Sequence, residues 1–193
     1  TKYINGHSDV IGGVVVGSKS EIMEKLHFIQ MSVGAVPGPF DCWLTQRSLK
    51  TLAVRMEAHN KNALMLAEKL ESSGKFKNVY YTGLNSHPHF DLAKRQQVSP
   101  NGKSGYGGML SVELNDLIAA KNFVKNLKIF TLAESLGGVE SLVCHPATMT
   151  HASIPSDVRN QIGISDGLIR LSVGIEHGED LLNDIDNALN NIS

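Results

Sequence analysis

The sequence has little of what marks membrane, disulfide-rich or nucleic-acid-binding proteins. Its two cysteines, Cys42 and Cys144, are isolated and form no CxxC pair, so we expect packed thiols of a reducing compartment. No apolar run approaches the ~20 residues that a transmembrane helix needs, and we find no signal peptide. The net charge is −1 and no Lys/Arg block stands out, so neither a membrane nor a nucleic acid is an expected partner. These absences predict a cytoplasmic protein.

The length and apolar content still allow a sizeable core. A chain of 193 residues, 41% of them hydrophobic, suffices for one domain or for a lobe and a half of a larger enzyme. The chain begins with Thr1 rather than Met, and we expect a fragment or a processed chain.

The first quarter of the chain reads as one strand and two helices. The apolar run at residues 14–16, between glycines, predicts a short buried strand, and Ser18 or Ser20 is a candidate cap for the next helix. That helix is predicted from Glu21 by one apolar stripe: Ile22, Leu26, Ile29 and Val33. The Pro- and Gly-rich residues 34–39 end it, and a helix restarts at residue 40.

The rest of the chain predicts a small α/β or α+β lobe. A long helix over residues 52–70, with Arg55 on its polar face, is a candidate bridge between two lobes. After it, strands alternate with helices. The predicted strands cover residues 77–82, 109–114, 139–143 and 168–173, and the predicted helices cover 91–97, 116–127 and the segment from Glu179.

Lys2 lies in a short polar segment directly before an apolar run. Lysine forms Schiff bases with carbonyl compounds, and partial desolvation makes it a nucleophile and a base. Most lysines are solvated and carry no such role. The local sequence leaves both interpretations open.

Arg170 lies in the middle of a short apolar strand. A guanidinium there is unfavourable unless it holds an anion, and its planar fork fits a carboxylate. The anion is either an internal Asp or Glu or the α-carboxylate of a substrate. A second feature, Gly137-Gly138 after a polar pair, predicts either a tight turn or a close backbone approach to a ligand.

The histidines do not predict a metal site. His145 and His151 are spaced unlike a usual ligand pair, and no cysteine or carboxylate joins them. Turn and capping roles are the better interpretation for His7, His87 and His89.

Several motifs together resemble the cystathionine gamma-lyase and gamma-synthase family. The first motif is the Thr1-Lys2-Tyr3 segment through Asp9, followed by a glycine pair. The others lie at residues 39–52, 81–88, 130–142, 149–151 and 168–174. Their order matches the C-terminal half of such an enzyme over essentially the whole chain.

The resemblance implies an α/β protein of the pyridoxal-phosphate-dependent fold type I, usually a homotetramer. Residues 1–53 would be the end of the large cofactor-binding domain. Residues 54–193 would be the C-terminal small α/β domain, entered through the long helix.

The resemblance also implies the site. Lys2 would form the Schiff base with pyridoxal phosphate, and Thr1 would help to hold the cofactor phosphate. Ser135 and Arg170 match carboxylate-binding positions. Two further residues, Leu136 and Thr150, would line the substrate site. Glu134 matches a position where members with gamma chemistry carry glutamate.

These implications favour a cystathionine gamma-lyase, which cleaves cystathionine to cysteine, 2-oxobutanoate and ammonia. The alternative is a gamma-synthase that joins an O-acyl-homoserine to cysteine. A third interpretation is an inert half that acts only in assembly, because the family's remaining cofactor-pocket residues precede the lysine.

Overall fold

The computed structural model describes residues 1–192 and divides into two compact units. The first unit is Thr1–Leu52, and the second begins at Ala53. This division lies beside the boundary expected at residue 53. The assignment of the two segments to a cofactor domain and a small domain stays a prediction.

The first unit contains two helices, α1 (Ser20–Val33) and α2 (Pro39–Leu49). Gly34 ends α1 in the left-handed conformation, with φ of 74°, which favours glycine. The predicted cap is wrong, because Lys19 is the N-cap residue and no side chain caps this helix.

The strand predicted at residues 14–16 is also wrong. These valines have no regular secondary structure and are 69%, 66% and 87% exposed. A strand needs a neighbour to pair its backbone groups, and residues 1–52 contain no other strand.

Apolar side chains of the first unit are largely exposed. Within residues 1–52 Val10 is the single buried hydrophobic residue. The exposed set includes most of the predicted α1 stripe and both aromatic residues of α2: Ile22, Phe28, Ile29, Met31, Val33, Phe40 and Trp43. Cys42, predicted to be packed, is exposed as well, whereas Cys144 is buried. So many exposed large apolar side chains are typical of a segment that packs against a partner.

The second unit is built on a five-stranded mixed sheet of order β1-β2-β5-β4-β3. All neighbours are antiparallel except β3 and β4, which are parallel. The strands are β1 (Asn78–Tyr80), β2 (Met109–Glu113), β3 (Thr131–Leu132), β4 (Leu142–Cys144) and β5 (Leu168–Ser172). Strand β5 therefore lies in the middle of the sheet.

Five α-helices and a 3-10 helix complete the second unit. The α-helices are α3 (Leu52–Ser73), α4 (Phe90–Gln96), α5 (Leu117–Asn126), α6 (Ser156–Gln161) and α7 (Gly178–Asn190). Asp116 caps α5 by accepting a hydrogen bond from the Ala119 amide at 2.9 Å. The sequence pattern did not predict β3, α6 or the 3-10 helix at Pro146–Thr148, since segments of two to six residues show no periodicity.

The core lies between one sheet face and helices α3, α5 and α7. Alternate residues of β2 and β5 supply the sheet side, and the helices supply large apolar side chains. The most buried members are Leu66, Leu70, Leu110, Val112, Phe123, Ile169, Leu171 and Ile185. Each such side chain contributes about 1.5–3 kcal/mol when removed from water.

Polar residues of α3 are buried where the helix meets the end of β5. Arg55, predicted on the polar face, is only 4% exposed, and burial lowers the pKa of its guanidinium. His59 donates from Nδ1 to the Val173 carbonyl at 2.7 Å, and burial lowers its pKa. Asn62 donates to the carbonyls of Gly174 and Glu176 at 3.1 and 2.8 Å. A helical stripe predicts apolar burial but not these tertiary hydrogen bonds.

Glu113 is a buried carboxylate that ties β1, β2 and the segment before β5 together. It accepts hydrogen bonds from Ser165 and Asn78, each at 2.7 Å, and from Tyr80 at 3.0 Å. Burial acts to raise its pKa. The three hydrogen bonds and the nearby Lys77 ammonium outweigh burial and bring the pKa below the ordinary value.

Glu113 therefore stabilises the fold above the ordinary carboxyl pKa of 4.5, and this stability is lost as the pH falls through the lower folded-state pKa. We expect Glu113→Gln to lower the free energy of unfolding by about 1–3 kcal/mol at pH 7. The difference should shrink at pH 3. Urea unfolding followed by circular dichroism measures both.

The matched control is Glu68→Gln, on the exposed face of α3. It should leave the unfolding free energy unchanged at both pH values. Equal stability of Glu113→Gln and the unsubstituted chain at pH 7 would contradict the assigned role.

None of the helices within residues 1–192 combines the length and apolar content that crossing a bilayer requires.

Candidate active site

Arg170 is held in the middle of the sheet. It alternates along β5 with Ile169 and Leu171, which face the core and are fully buried. Its own side chain therefore lies on the opposite sheet face. Its register partners are Ser111 on β2 and Cys144 on β4.

The Arg170 guanidinium is only partly satisfied. Its Nη2 donates to the carbonyl oxygens of Glu134 at 2.9 Å and Ser135 at 3.2 Å. Its Nε is buried and makes no hydrogen bond with any described residue. No carboxylate within residues 1–192 pairs with it. The internal salt bridge considered for Arg170 is therefore absent from the described residues, and the free donor suits an external carboxylate.

The segment 134–138 forms the turn that brings these carbonyls to Arg170. Glu134 is exposed, while Ser135 and Leu136 are half-buried. Gly137 has φ of 75° and donates its amide to Ser172 Oγ at 2.8 Å. The chain bends at the glycine pair, and the left-handed conformation at residue 137 favours glycine.

A second set of hydrogen bonds fixes the chain just beyond this turn. Glu176 accepts from the Ser141 amide at 2.7 Å and from the Ser141 hydroxyl at 2.8 Å. Ser141 Oγ in turn accepts from the Gly174 amide at 2.8 Å. A side chain at Gly174 would collide with the Val139 carbonyl oxygen, so the two segments are in close contact. Sequence reasoning missed Ser141, Ser172 and Glu176. The one available signal was that Ser172 shares the strand face of Arg170.

Thr150 follows the 3-10 helix and is exposed. Its hydroxyl is hydrogen-bonded with His151 Nδ1 at 2.8 Å. The described residues show no hydrogen bond from Thr150 to Arg170 or Ser135. Its place in the substrate site stays a prediction.

The two predicted cofactor residues lie in the first unit. The Thr1 hydroxyl donates to the Gly12 carbonyl and accepts from the Gly12 amide, both at 2.9 Å. Lys2 accepts from the Gly6 amide through its carbonyl at 2.7 Å, which closes a turn. Its side chain is exposed, and its amine makes no hydrogen bond or ion pair with a described residue.

The turn that carries Lys2 is internally braced. Asn5 is 1% exposed and donates from Nδ2 to Asp9 Oδ1 at 2.6 Å. The Asn5 carbonyl lies 2.7 Å from His7 Nδ1, and Ser48 of α2 lies 3.3 Å from the same nitrogen. An unpaired amine on a braced turn is chemically suited to hold an aldehyde cofactor.

The histidines considered as metal ligands have other partners. His145 contacts Thr148 Oγ1 through Nδ1 at 2.8 Å and the Asp166 carbonyl through Nε2 at 2.9 Å. Within residues 1–192 no group of three or more metal-binding side chains comes together.

Comparison with known families agrees with these features. The family model for Cys/Met metabolism PLP-dependent enzymes matches residues 1–190. The chain belongs to this family. Its members use pyridoxal phosphate (PLP), as the family description states, and the resemblance inferred from the motifs is confirmed.

Curated relatives are both beta- and gamma-lyases. Cystathionine beta-lyase of Lactococcus lactis subsp. cremoris is 58% identical over 98% of this chain and 48% of its own length. Cystathionine gamma-lyase of Bacillus subtilis is 52% identical over 100% of this chain and 49% of its own length. Mouse cystathionine gamma-lyase is 54% identical over 98% of this chain and 46% of its own length. The chain thus spans about half the length of the curated relatives it matches.

Solved structures confirm the mixed α/β fold. Cystathionine gamma-lyase from yeast superposes with a TM-score of 0.92 at 44% identity, over 100% of this chain and 48% of that structure. Cystathionine gamma-synthase from Xanthomonas oryzae pv. oryzae, complexed with aminoacrylate and cysteine, superposes with a TM-score of 0.89 at 47% sequence identity. The match covers 99% of this chain and 48% of that structure.

Proposed function

We propose that this chain is the C-terminal half of a pyridoxal-phosphate-dependent cystathionine gamma-lyase, which converts cystathionine to cysteine, 2-oxobutanoate and ammonia. The observation that carries the proposal is the Arg170 guanidinium, which has a buried free Nε and no carboxylate partner among the described residues. A planar guanidinium with a free donor can bind the α-carboxylate of an amino acid.

In the proposed mechanism Arg170 orients the substrate. Binding the carboxylate would fix the bonds around Cα and so orient the C–H bond that is to be broken. The Ser135 side chain makes no hydrogen bond with a described residue, so its hydroxyl is available to the same carboxylate. Leu136 is half-buried beside it, and with Thr150 it would line the pocket.

Lys2 supplies the covalent and proton-transfer steps of the proposal. Its amine would hold the aldehyde of the cofactor, and Thr1 would contribute to the phosphate site. With its amine free, Lys2 would take the proton from Cα and deliver a proton to a neighbouring carbon. Pyridoxal phosphate, when bound, acts as the electron sink for the charge left at Cα.

Glu134 is the residue that favours gamma-elimination or gamma-replacement in this proposal. Its carboxylate is exposed and forms no ion pair with a described residue. It could therefore bind the distal ammonium of cystathionine, which a simple homoserine ester lacks. The resemblance supports this role, because glutamate at the matching position goes with gamma chemistry.

The second candidate is a gamma-synthase. The Xanthomonas oryzae gamma-synthase superposes nearly as well as the yeast gamma-lyase, with TM-scores of 0.89 and 0.92. The same residues serve both reactions. A homotetramer in the cytoplasm is part of either proposal, and the exposed apolar side chains of the first unit support the assembly.

The test uses a chimera, in which this chain replaces its matching segment in the Bacillus subtilis gamma-lyase. Loaded with pyridoxal phosphate, the chimera should release 2-oxobutanoate from L-cystathionine, measured by coupled reduction. Release of pyruvate instead would show beta cleavage. If the chimera consumed O-succinyl- or O-acetylhomoserine with cysteine faster than it cleaved L-cystathionine, the gamma-synthase would be favoured.

An inert half is the remaining outcome. The chimera would then bind the cofactor, with its visible absorption band, and turn over none of these substrates. That result would overturn the proposed function.

A further inference from the structure

Ser172 is a buried hydroxyl for which the proposed mechanism has no use. It is 1% exposed and lies two residues after Arg170, on the same face of β5. Its Oγ accepts the Gly137 amide hydrogen at 2.8 Å. This bond joins the strand of Arg170 to the turn formed by residues 134–138.

The hydrogen bond between Ser172 and Gly137 lies close to the two carbonyl groups that accept from Arg170. Gly137 lies two residues after Ser135 and three after Glu134, whose backbone oxygens accept from Nη2 at 3.2 and 2.9 Å. Gly137 has φ of 75°, in the left-handed region. Anchoring its amide to β5 restricts the short segment that carries the Glu134 and Ser135 carbonyls.

We propose that Ser172 is a positioning residue, which sets the Arg170 guanidinium for the substrate carboxylate through Gly137 and the turn carbonyls. The inference rests on the proposed carboxylate role of Arg170. Ser172 itself does not touch the substrate. With Nη2 held by two carbonyls, the Nε, which has no partner within residues 1–192, keeps one direction, and this is the preorganisation that a carboxylate site requires.

The competing interpretation is a purely structural hydrogen bond. Loss of a buried hydroxyl bond lowers stability by about 1 kcal/mol wherever it lies. Tyr81 offers the matched control, because it is 2% exposed and its hydroxyl donates to the Gly107 carbonyl at 2.8 Å. Tyr81→Phe removes one buried hydroxyl outside the Arg170 turn.

The experiment compares two probes on the pyridoxal-phosphate-loaded chimera. Glycine carries a carboxylate and methylamine does not, and both change the visible absorption of the bound cofactor through their amines. For Ser172→Ala we expect the Kd of glycine to rise about tenfold, the equivalent of one buried hydrogen bond, with the Kd of methylamine unchanged. KM for cystathionine should rise in parallel, with kcat within about threefold.

Conservative variants complete the test. Ser172→Thr keeps the acceptor and should restore most of the glycine affinity, whereas Tyr81→Phe should change neither Kd. If Ser172→Ala does not fold, Ser172→Cys supplies the same comparison, since its sulfur fills the site but accepts weakly. Unchanged glycine affinity, or equal weakening of both probes, would overturn the proposal.

The proposed function can fail separately. A chimera that cleaves no cystathionine, yet loses glycine affinity on Ser172→Ala, would remove the gamma-lyase assignment and keep the positioning role. An unsubstituted chimera that binds glycine no better than Ser172→Ala does would remove the positioning role, whatever its activity.

Discussion

Replacing Lys2 with alanine in the chimera should abolish covalent attachment of pyridoxal phosphate and lower kcat at least ~10³-fold. The structure gives the reason within the first unit. The Lys2 amine is unpaired among the described residues and exposed, on a turn closed by the Gly6 amide and braced by Asn5 and Asp9. No other group of that turn can form a Schiff base.

Two measurements check this expectation. The visible band of the lysine-bound cofactor should be missing in Lys2→Ala, and borohydride reduction of the unsubstituted chimera should leave the cofactor on the peptide that contains Lys2. Lys50→Ala, an exposed lysine after α2, is the control and should keep the band and the activity. A reduced adduct on another lysine would disprove the assignment.

Replacing Arg170 with alanine should raise KM for cystathionine about 100-fold, because a hydrogen-bonded charge pair with the substrate is lost. The loss should appear for glycine and not for methylamine. Arg170→Lys should recover only part of the affinity, since an ammonium cannot form the planar two-point contact.

The Michaelis constant separates this role from a structural one. Arg170→Ala removes two hydrogen bonds to backbone oxygens but no ion pair with a described residue, so it should lower the unfolding free energy by about 1–3 kcal/mol and raise KM as well. Arg159 is the control. It pairs with Asp166 at 3.0 Å and is 9% exposed, so Arg159→Ala should destabilise the fold and leave KM unchanged. If Arg170→Ala destabilised the fold and left KM unchanged, the role of Arg170 would be structural.

The pattern of apolar residues was a good guide to helices and long strands and a poor guide to burial in the first unit. The α1 stripe formed a helix, yet Ile29 and Val33 are 54% and 75% exposed. The valines at 14–16 formed no strand. Both outcomes have the same physical reason, which is that a hydrophobic face is buried only where a second surface covers it.

The candidate site was predictable to the extent that it follows from local sequence. Strand alternation placed Arg170 opposite Ile169 and Leu171, as the structure has it. The glycine pair predicted either a tight turn or a close backbone approach to a ligand, and the left-handed conformation of Gly137 is what the structure adds. The Ser172 contact, 35 residues from Gly137, could not be predicted, because which strand lies beside a given turn is set by the order of the sheet.

The sequence by itself determined the family, the lysine motif, the helices with clear stripes and the face of the strand that carries Arg170. These follow from covalent order and from periods of two or 3.6 residues. The tertiary structure alone decided that no carboxylate within residues 1–192 pairs with Arg170, that two backbone oxygens hold it, and that Ser172, Ser141 and Glu176 fix the surrounding chain. Those contacts join residues about 35 positions apart, and only the packing of the whole unit brings them within hydrogen-bonding distance.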